Sequence, residues 1–266
     1  MSPVGNYIST VRRNRIATIT ISRAHKRNAI THGMLHDLAR VAQQLRADEE
    51  TRAVVIGAEG ADFSVGADLD QSHMQGLDEA SLLMQRRQIE IGREVIQALQ
   101  DIPQPTVCAL RGVATGAGAC IASACDFRIA AADARAGYGE VRLGMNLMWN
   151  AAPLCLHLIG PARAKRMIMT GKLFDAKTLL AWGFVDEVVP VEDLEATAHR
   201  WADEYVELPP IAVQMIKKSL NYLSGPLDRS IMHMDSDQWL LAAQSADFRE
   251  AAAAFFEKRT PTFTGR

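Results

Sequence analysis

"GVATGAGACIASACDFRIA", residues Gly112 to Ala130, is the stretch on which the fold turns. Nearly every side chain from Ala114 to Ala124 is small, in a chain whose apolar content of 48% is otherwise ordinary. A packed core needs bulk, whereas a segment held to glycine, alanine, serine and cysteine lets another group approach its backbone closely. The run follows Thr106-Val107-Cys108-Ala109-Leu110, a short apolar stretch that reads as a buried strand. Gly116-Ala117-Gly118 then feeds a helix expected to begin near Ala119, whose first N–H groups have no internal partner and whose dipole favours negative charge. A second glycine turn, Phe63-Ser64-Val65-Gly66-Ala67-Asp68-Leu69, follows another apolar run, Ala53 to Gly57. One backbone N–H from each turn, converging on a point, would make an oxyanion hole. Small residues that merely let a helix pack closely are the alternative, and the residues alone leave both open.

Outward from this stretch the chain alternates strands and helices. Tyr7 to Arg12 and Ile16 to Ile21 alternate with β-branched residues around Arg13-Asn14-Arg15, a hairpin pattern. Thr31 is placed to cap a helix with Met34, Leu35, Leu38, Val41 and Leu45 on one face, and Glu79 to Leu99 is a long amphipathic helix stopped at Pro103. Phe127 to Ala131 and Val185 to Val189 read as strands, and Pro161 suits the first turn of a helix that ends at Gly171. The alternation argues for an α/β fold of parallel units with helices covering the sheet. After Val191 only helical signals remain: Glu192 to Tyr205, Pro210 to Leu223, Leu227 to Ala243 and Ser245 to Arg259. The expected division is a core over 1–190 and a helical module over 191–266.

Composition narrows the function classes. The 266 residues carry a formal net charge of −2 with no basic block, so nucleic acid is not the expected partner. No run of about 18 apolar residues suggests a membrane span, and the N-terminus lacks the apolar core of a signal peptide, so the expected location is cytoplasmic. Cys108, Cys120, Cys125 and Cys155 form no CxxC pair and sit among apolar neighbours, the setting of buried free thiols. His32 and His36 have helical spacing without an accompanying glutamate, which fits a solvated helix face; no metal site is expected. His157, among leucines, reads as a core histidine.

Several motifs together resemble the crotonase family, the enoyl-CoA hydratases and isomerases. Phe63 to Leu69 resembles its "FSAGADL", and Gly112 to Asp126 its "GxAxGGGxxLAxxCD". Arg27-Asn28-Ala29 resembles the "LNAL" after the first hairpin, Gly139 to Gly144 "PEVRLG", Gly171 to Pro190 "TG…A…GLVDEVVP", and Phe255 to Phe263 "FxEKRxPxF". The resemblance spans almost the whole chain. It implies the crotonase (ClpP-like) spiral of β-β-α units with a C-terminal helical module. It also implies an acyl-CoA enzyme in which the backbone N–H groups of Ala67 and Ala117 hold the thioester oxygen.

The resemblance also locates two departures. Hydratases of the family use two glutamates; Glu140 matches the second, but Cys120 stands where the first belongs, and a thiol is poorly suited to activating water. One carboxylate still suffices to remove a proton at one carbon and return it at another, so double-bond isomerisation is favoured over hydration. Asp68, Asp70 or another loop side chain could still supply a second acid. After Gly144 the family reads "IPGAGG", whereas this chain reads Met145-Asn146-Leu147-Met148-Trp149-Asn150. Asn146, Trp149 and Asn150, with Cys120, are candidates for the acyl pocket, or they pack a helix start. By resemblance, Ala67, Asp68, Leu69 and Asp70 line the coenzyme A moiety, and Lys258 reaches its 3′-phosphate. No cofactor is implied, since the coenzyme A thioester is itself the substrate. The resemblance implies a homotrimer or homohexamer. Other enolate reactions (dehalogenation, hydrolysis, C–C cleavage) and a non-catalytic CoA-ester binder stay open as alternatives.

Overall fold

The structure is a computed structural model and describes residues 7–68, 81–228 and 232–266. The hairpin forms as its alternation predicts: β1 (Ile8–Arg13) pairs antiparallel with β2 (Ile16–Ile21) across Asn14 and Arg15, both at positive φ. From β2 onward the sheet is parallel. It continues through β3 (Ala53–Ala58), β4 (Thr106–Leu110), β6 (Phe127–Ala131) and β9 (Glu187–Val189), in the order β1-β2-β3-β4-β6-β9. Strands covered on both faces read as unbroken apolar runs, and all five residues of β4 are buried.

On one face, α1 (His32–Arg46), α2 (Leu82–Gln100) and α3 (Ala117–Ala124) pack with Ile19, Ile21, Val54, Ile56 and Leu110 into the main core. Thr31 caps α1 through its hydroxyl, which accepts from the Met34 N–H. The other face is covered by α6 (Leu194–Asp203), whose Leu194, Ala198 and Ala202 lie on Val55, Val107, Ala109 and Ile129. The first helix beyond residue 191 is therefore part of the core packing, because its apolar stripe is the lid of the sheet's second face.

A second, three-stranded sheet consists of β5 (Val113–Thr115), β7 (Arg135–Gly137) and β8 (Phe174–Asp175). Strands this short carry no readable periodicity, and α5 (Ala176–Trp182), capped by Asp175, was equally hidden. α4 (Ala151–Thr170) is bent at Gly160, φ 76° and ψ 166°. Pro161 opens the second half of α4 as its fixed φ favours, and Gly171 ends it in the left-handed conformation.

Beyond the core, α7 (Pro210–Ser224) buries none of its residues. Lys217 ties it down, pairing with Asp126 at 2.6 Å and donating to the Gln104 carbonyl at 2.8 Å. α8 (Asp235–Ala243) and α9 (Ala246–Glu257) turn back towards α2, where Arg86 meets Asp237 at 2.6 Å. Part of the helix expected over Leu227 to Ala243 lies outside the described residues, as does the start of the one expected from Glu79. His157 is not a core residue: it is largely exposed and meets Asp228 at 2.8 Å, because the first half of α4 turns that side outward. All four cysteines are free and buried. Among the described residues, no helix is long and apolar enough to cross a membrane.

Candidate active site

The two glycine turns meet. Ser64 and Ala114 form a parallel bridge, as do Ile30 and Ala67, so the first turn is stitched to β5 on one side and to the α1 entry on the other. The Gly66 carbonyl accepts from Ile30 and the Asp68 N–H donates to the Ile30 carbonyl, at 2.8 and 2.9 Å. Between them the Ala67 N–H donates to nothing among the described residues. In the second turn Gly116 is the N-cap of α3 at φ 51° and ψ −121°, and Ala117 is the first helical residue. Its N–H is one of the orphan donors of a helix start, and it too has no acceptor among the described residues.

Close approach explains the small residues. A β-carbon on Gly66 would lie 3.3 Å from the Thr115 carbonyl and 3.9 Å from the Ala117 nitrogen; one on Gly118 would lie 2.8 Å from Ser64. The small residues therefore let α3 pack backbone-close on the Ser64 turn, and Ala67 and Ala117, one from each turn, both line one cavity. Ala117 is buried, and its methyl leaves the N–H in place.

Glu140 stands at the start of the short 3-10 turn Glu140–Leu143. Its Oε2 is shielded from solvent and has no hydrogen-bond partner among the described residues, and burial pushes the carboxyl up to about 7. Cys120, one turn into α3, is 2% exposed. Burial, and then the neighbouring Glu140, push its thiol well above the ordinary range.

These groups share a cavity of about 540 Å³. Of the residues singled out in the sequence, Ala67, Asp68, Ala117, Cys120, Glu140 and Trp149 line it. Asp68 is paired with Arg23 at 2.7 Å and is not a free acid. Leu69 and Asp70 lie outside the described residues. Asn146 and Asn150 are not among the lining residues: the Asn146 amide reaches the Asp235 carbonyl, and the Asn150 N–H reaches the Asp235 carboxylate, because α8 packs against this loop. Lys258 is exposed at the C-cap of α9, two residues beyond Phe256, which does line the cavity. His32 also lines it, which corrects its reading as a solvated residue: the first turn of α1 faces the Ala67 turn. Arg23, Trp239 and Phe248 were missed, since a lone arginine after a strand and aromatics on a distant helix carry no local signal.

A largely apolar cavity thus brings the Ala67 and Ala117 turns together with one buried carboxyl, Glu140. The family model described as "Enoyl-CoA hydratase/isomerase" matches residues 11–266. The chain is 29% identical over 251 residues to the 1,2-epoxyphenylacetyl-CoA isomerase of Escherichia coli K12, covering 94% of this chain and 95% of the relative. It is 29% identical over 256 residues to the short-chain-enoyl-CoA hydratase of Clostridium acetobutylicum, covering 96% of each. The crystal structure of an enoyl-CoA hydratase/isomerase from Pseudoalteromonas atlantica T6c superposes with a TM-score of 0.86 at 26% identity, over 97% of this chain and 100% of that one. This chain belongs to the enoyl-CoA hydratase/isomerase, or crotonase, family and has its fold. It is an acyl-CoA enzyme of that family.

Proposed function

We propose that this enzyme shifts the double bond of an enoyl-CoA thioester. The Ala67 and Ala117 N–H groups hold the thioester oxygen. Glu140 takes a proton from the α-carbon of a 3-enoyl thioester, and the electron pair moves into the carbonyl. The same carboxylic acid returns the proton to the γ-carbon, and the double bond comes to rest between the α- and β-carbons. The observation that carries this reading is the single available carboxyl. Among the described residues that line the cavity, Asp68 is held by Arg23 and Cys120 is a buried thiol, which leaves Glu140. Hydration in this family would use a second acid to work on water; a proton shuttle needs one group with a pKa near the working pH.

Solvent deuterium exchange into the α-carbon of a saturated acyl-CoA tests the enolate step. Exchange by the wild type and its loss in Glu140→Gln, with CoA-ester binding retained, is the expected result. Full exchange in that variant overturns the reading, and no exchange in the wild type favours a non-catalytic binder. Substrate panels then separate isomerisation from hydration, dehalogenation, hydrolysis and C–C cleavage, which share negative charge developing on the thioester oxygen. In the same reading Lys258 meets the 3′-phosphate of coenzyme A as a point charge. The chain assembles as a trimer or a pair of trimers, supported by the apolar face that α7 leaves exposed, with Ile211 at 75% and Leu223 at 76%.

A further inference from the structure

The loop 145–150 gives Met145, Met148 and Trp149 to the cavity wall, and α8 grips that loop along its length. The Trp239 indole N–H donates to Met145 Sδ at 2.9 Å. Asn146 Nδ2 donates to the Asp235 carbonyl and to Gln238 Oε1, each at 3.3 Å. The Asn150 N–H donates to Asp235 Oδ2 at 2.9 Å. Asp235 itself is 2% exposed, so this carboxylate is committed to the loop and not to solvent.

Between these anchors Trp149 and Asn150 stand at φ 65° and 55°, a left-handed conformation that non-glycine residues keep only where their surroundings fix it. That conformation lays the Trp149 indole on α2 at Gly92. A β-carbon on Gly92 would lie 1.9 Å from the ring, so only glycine leaves room. Glycine inside a helix costs about 1 kcal/mol relative to alanine, and the indole accounts for its presence. Trp149, Met145 and Met148 then line the cavity together with Cys120. The cavity of about 540 Å³ has to take both the thioester end of coenzyme A and the acyl group.

We infer that Trp149 is the wall that limits acyl length, that Asp235 is the positioning residue that holds it there, and that the substrates are short-chain acyl thioesters. The inference rests on the acyl-CoA reading of this cavity. Binding of butanoyl-, octanoyl- and dodecanoyl-CoA to the whole protein, measured by isothermal titration calorimetry, tests it. Wild type binds butanoyl-CoA at least about tenfold more tightly than dodecanoyl-CoA. Trp149→Ala erases that preference chiefly by improving dodecanoyl-CoA, a change within what pocket walls deliver for a few methylenes. Asp235→Ala shifts preference the same way, and Asp235→Asn restores it, since an amide oxygen still accepts from the Asn150 N–H. Asp235→Ala added to Trp149→Ala changes the preference no further, which a merely structural role would not give. Should Asp235→Ala fail to fold, Gly92→Ala displaces the indole from the other side and changes the same preference. Equal binding of all lengths by wild type, or an unchanged preference in Trp149→Ala, overturns the inference. So does an unchanged preference in a folded Asp235→Ala, or in Gly92→Ala where that variant stands in. Failure of wild type to bind any of the three thioesters instead overturns the acyl-CoA reading, so the two failures are distinguishable.

Discussion

The carboxylate of Glu140 rests against Gly116: a β-carbon built on Gly116 would lie 3.3 Å from Glu140 Oε1 and 3.5 Å from the Gly66 Cα. The acid is thus seated on the same residue that opens α3 and abuts the first turn. Gly116→Ala places a methyl group in that seat at φ 51°. The expected loss is about 1–3 kcal/mol of stability by denaturant titration, because the backbone there disfavours a side chain. Exchange should fall as well, because the carboxylate is displaced.

Glu140 also predicts a pH dependence. Its folded pKa of about 7 exceeds the ordinary value of 4.5, because the ionised form is buried. The folded protein keeps this proton while the unfolded chain has lost it, so the group makes stability fall as pH rises from about 4.5 to 7. Glu140→Gln removes that slope and is more stable than wild type above pH 7, by at most about 3 kcal/mol. Thermal melts of both proteins across that range check the sign. The proton-abstracting limb of kcat/KM for the wild type should have its midpoint near the same pKa of about 7.

Ala117→Pro deletes one N–H and puts the ring Cδ in its place. Ala117 is the first residue of α3, the helical position that tolerates proline. Stability should change by less than about 1 kcal/mol, while exchange drops by roughly a hundredfold or more, the effect of losing one oxyanion donor. A variant that keeps wild-type exchange would remove Ala117 from the chemistry.

Cys120 is expected to be inert. With its thiol pushed upward by burial and by Glu140, native protein at pH 8 should resist iodoacetamide at this position, read by peptide mass mapping. Cys120→Ala should keep exchange within a fewfold of wild type.

The exposed face of α7 predicts assembly. Ile216 and Leu220, both 59% exposed, lie one turn apart. Light scattering should give a particle larger than the 29.2 kDa chain, and lysine at both positions should return it to that mass. Surface substitutions of this kind change monomer stability by less than about 0.5 kcal/mol.

Much of this molecule was legible in its residues. β3 and β4 fall where their apolar runs place them, since a doubly covered strand is apolar nearly throughout, and β2 falls where its alternation places it. Thr31 and Ser245 cap their helices because a cap is a local hydrogen bond, written in adjacent residues. The two turns and Glu140 were visible through their motifs. The strands β5, β7 and β8 were not, being two or three residues long and fixed by partners distant in sequence. Asn146 and Asn150 looked like pocket residues because their polarity was visible, whereas Asp235, whose carbonyl takes the Asn146 amide and whose carboxylate takes the Asn150 main-chain N–H, was not. Arg23 and Trp239 reach the cavity only through tertiary packing.

The cavity draws its wall from Arg23, just after the first hairpin, and from Phe256, near the far end of the chain. An occupant would therefore span the N-terminal and C-terminal stretches like a rivet. Occupancy should slow proteolytic trimming of α9 and raise the melting temperature with ligand concentration, as mass action requires. Such a protein is sturdiest while it is working.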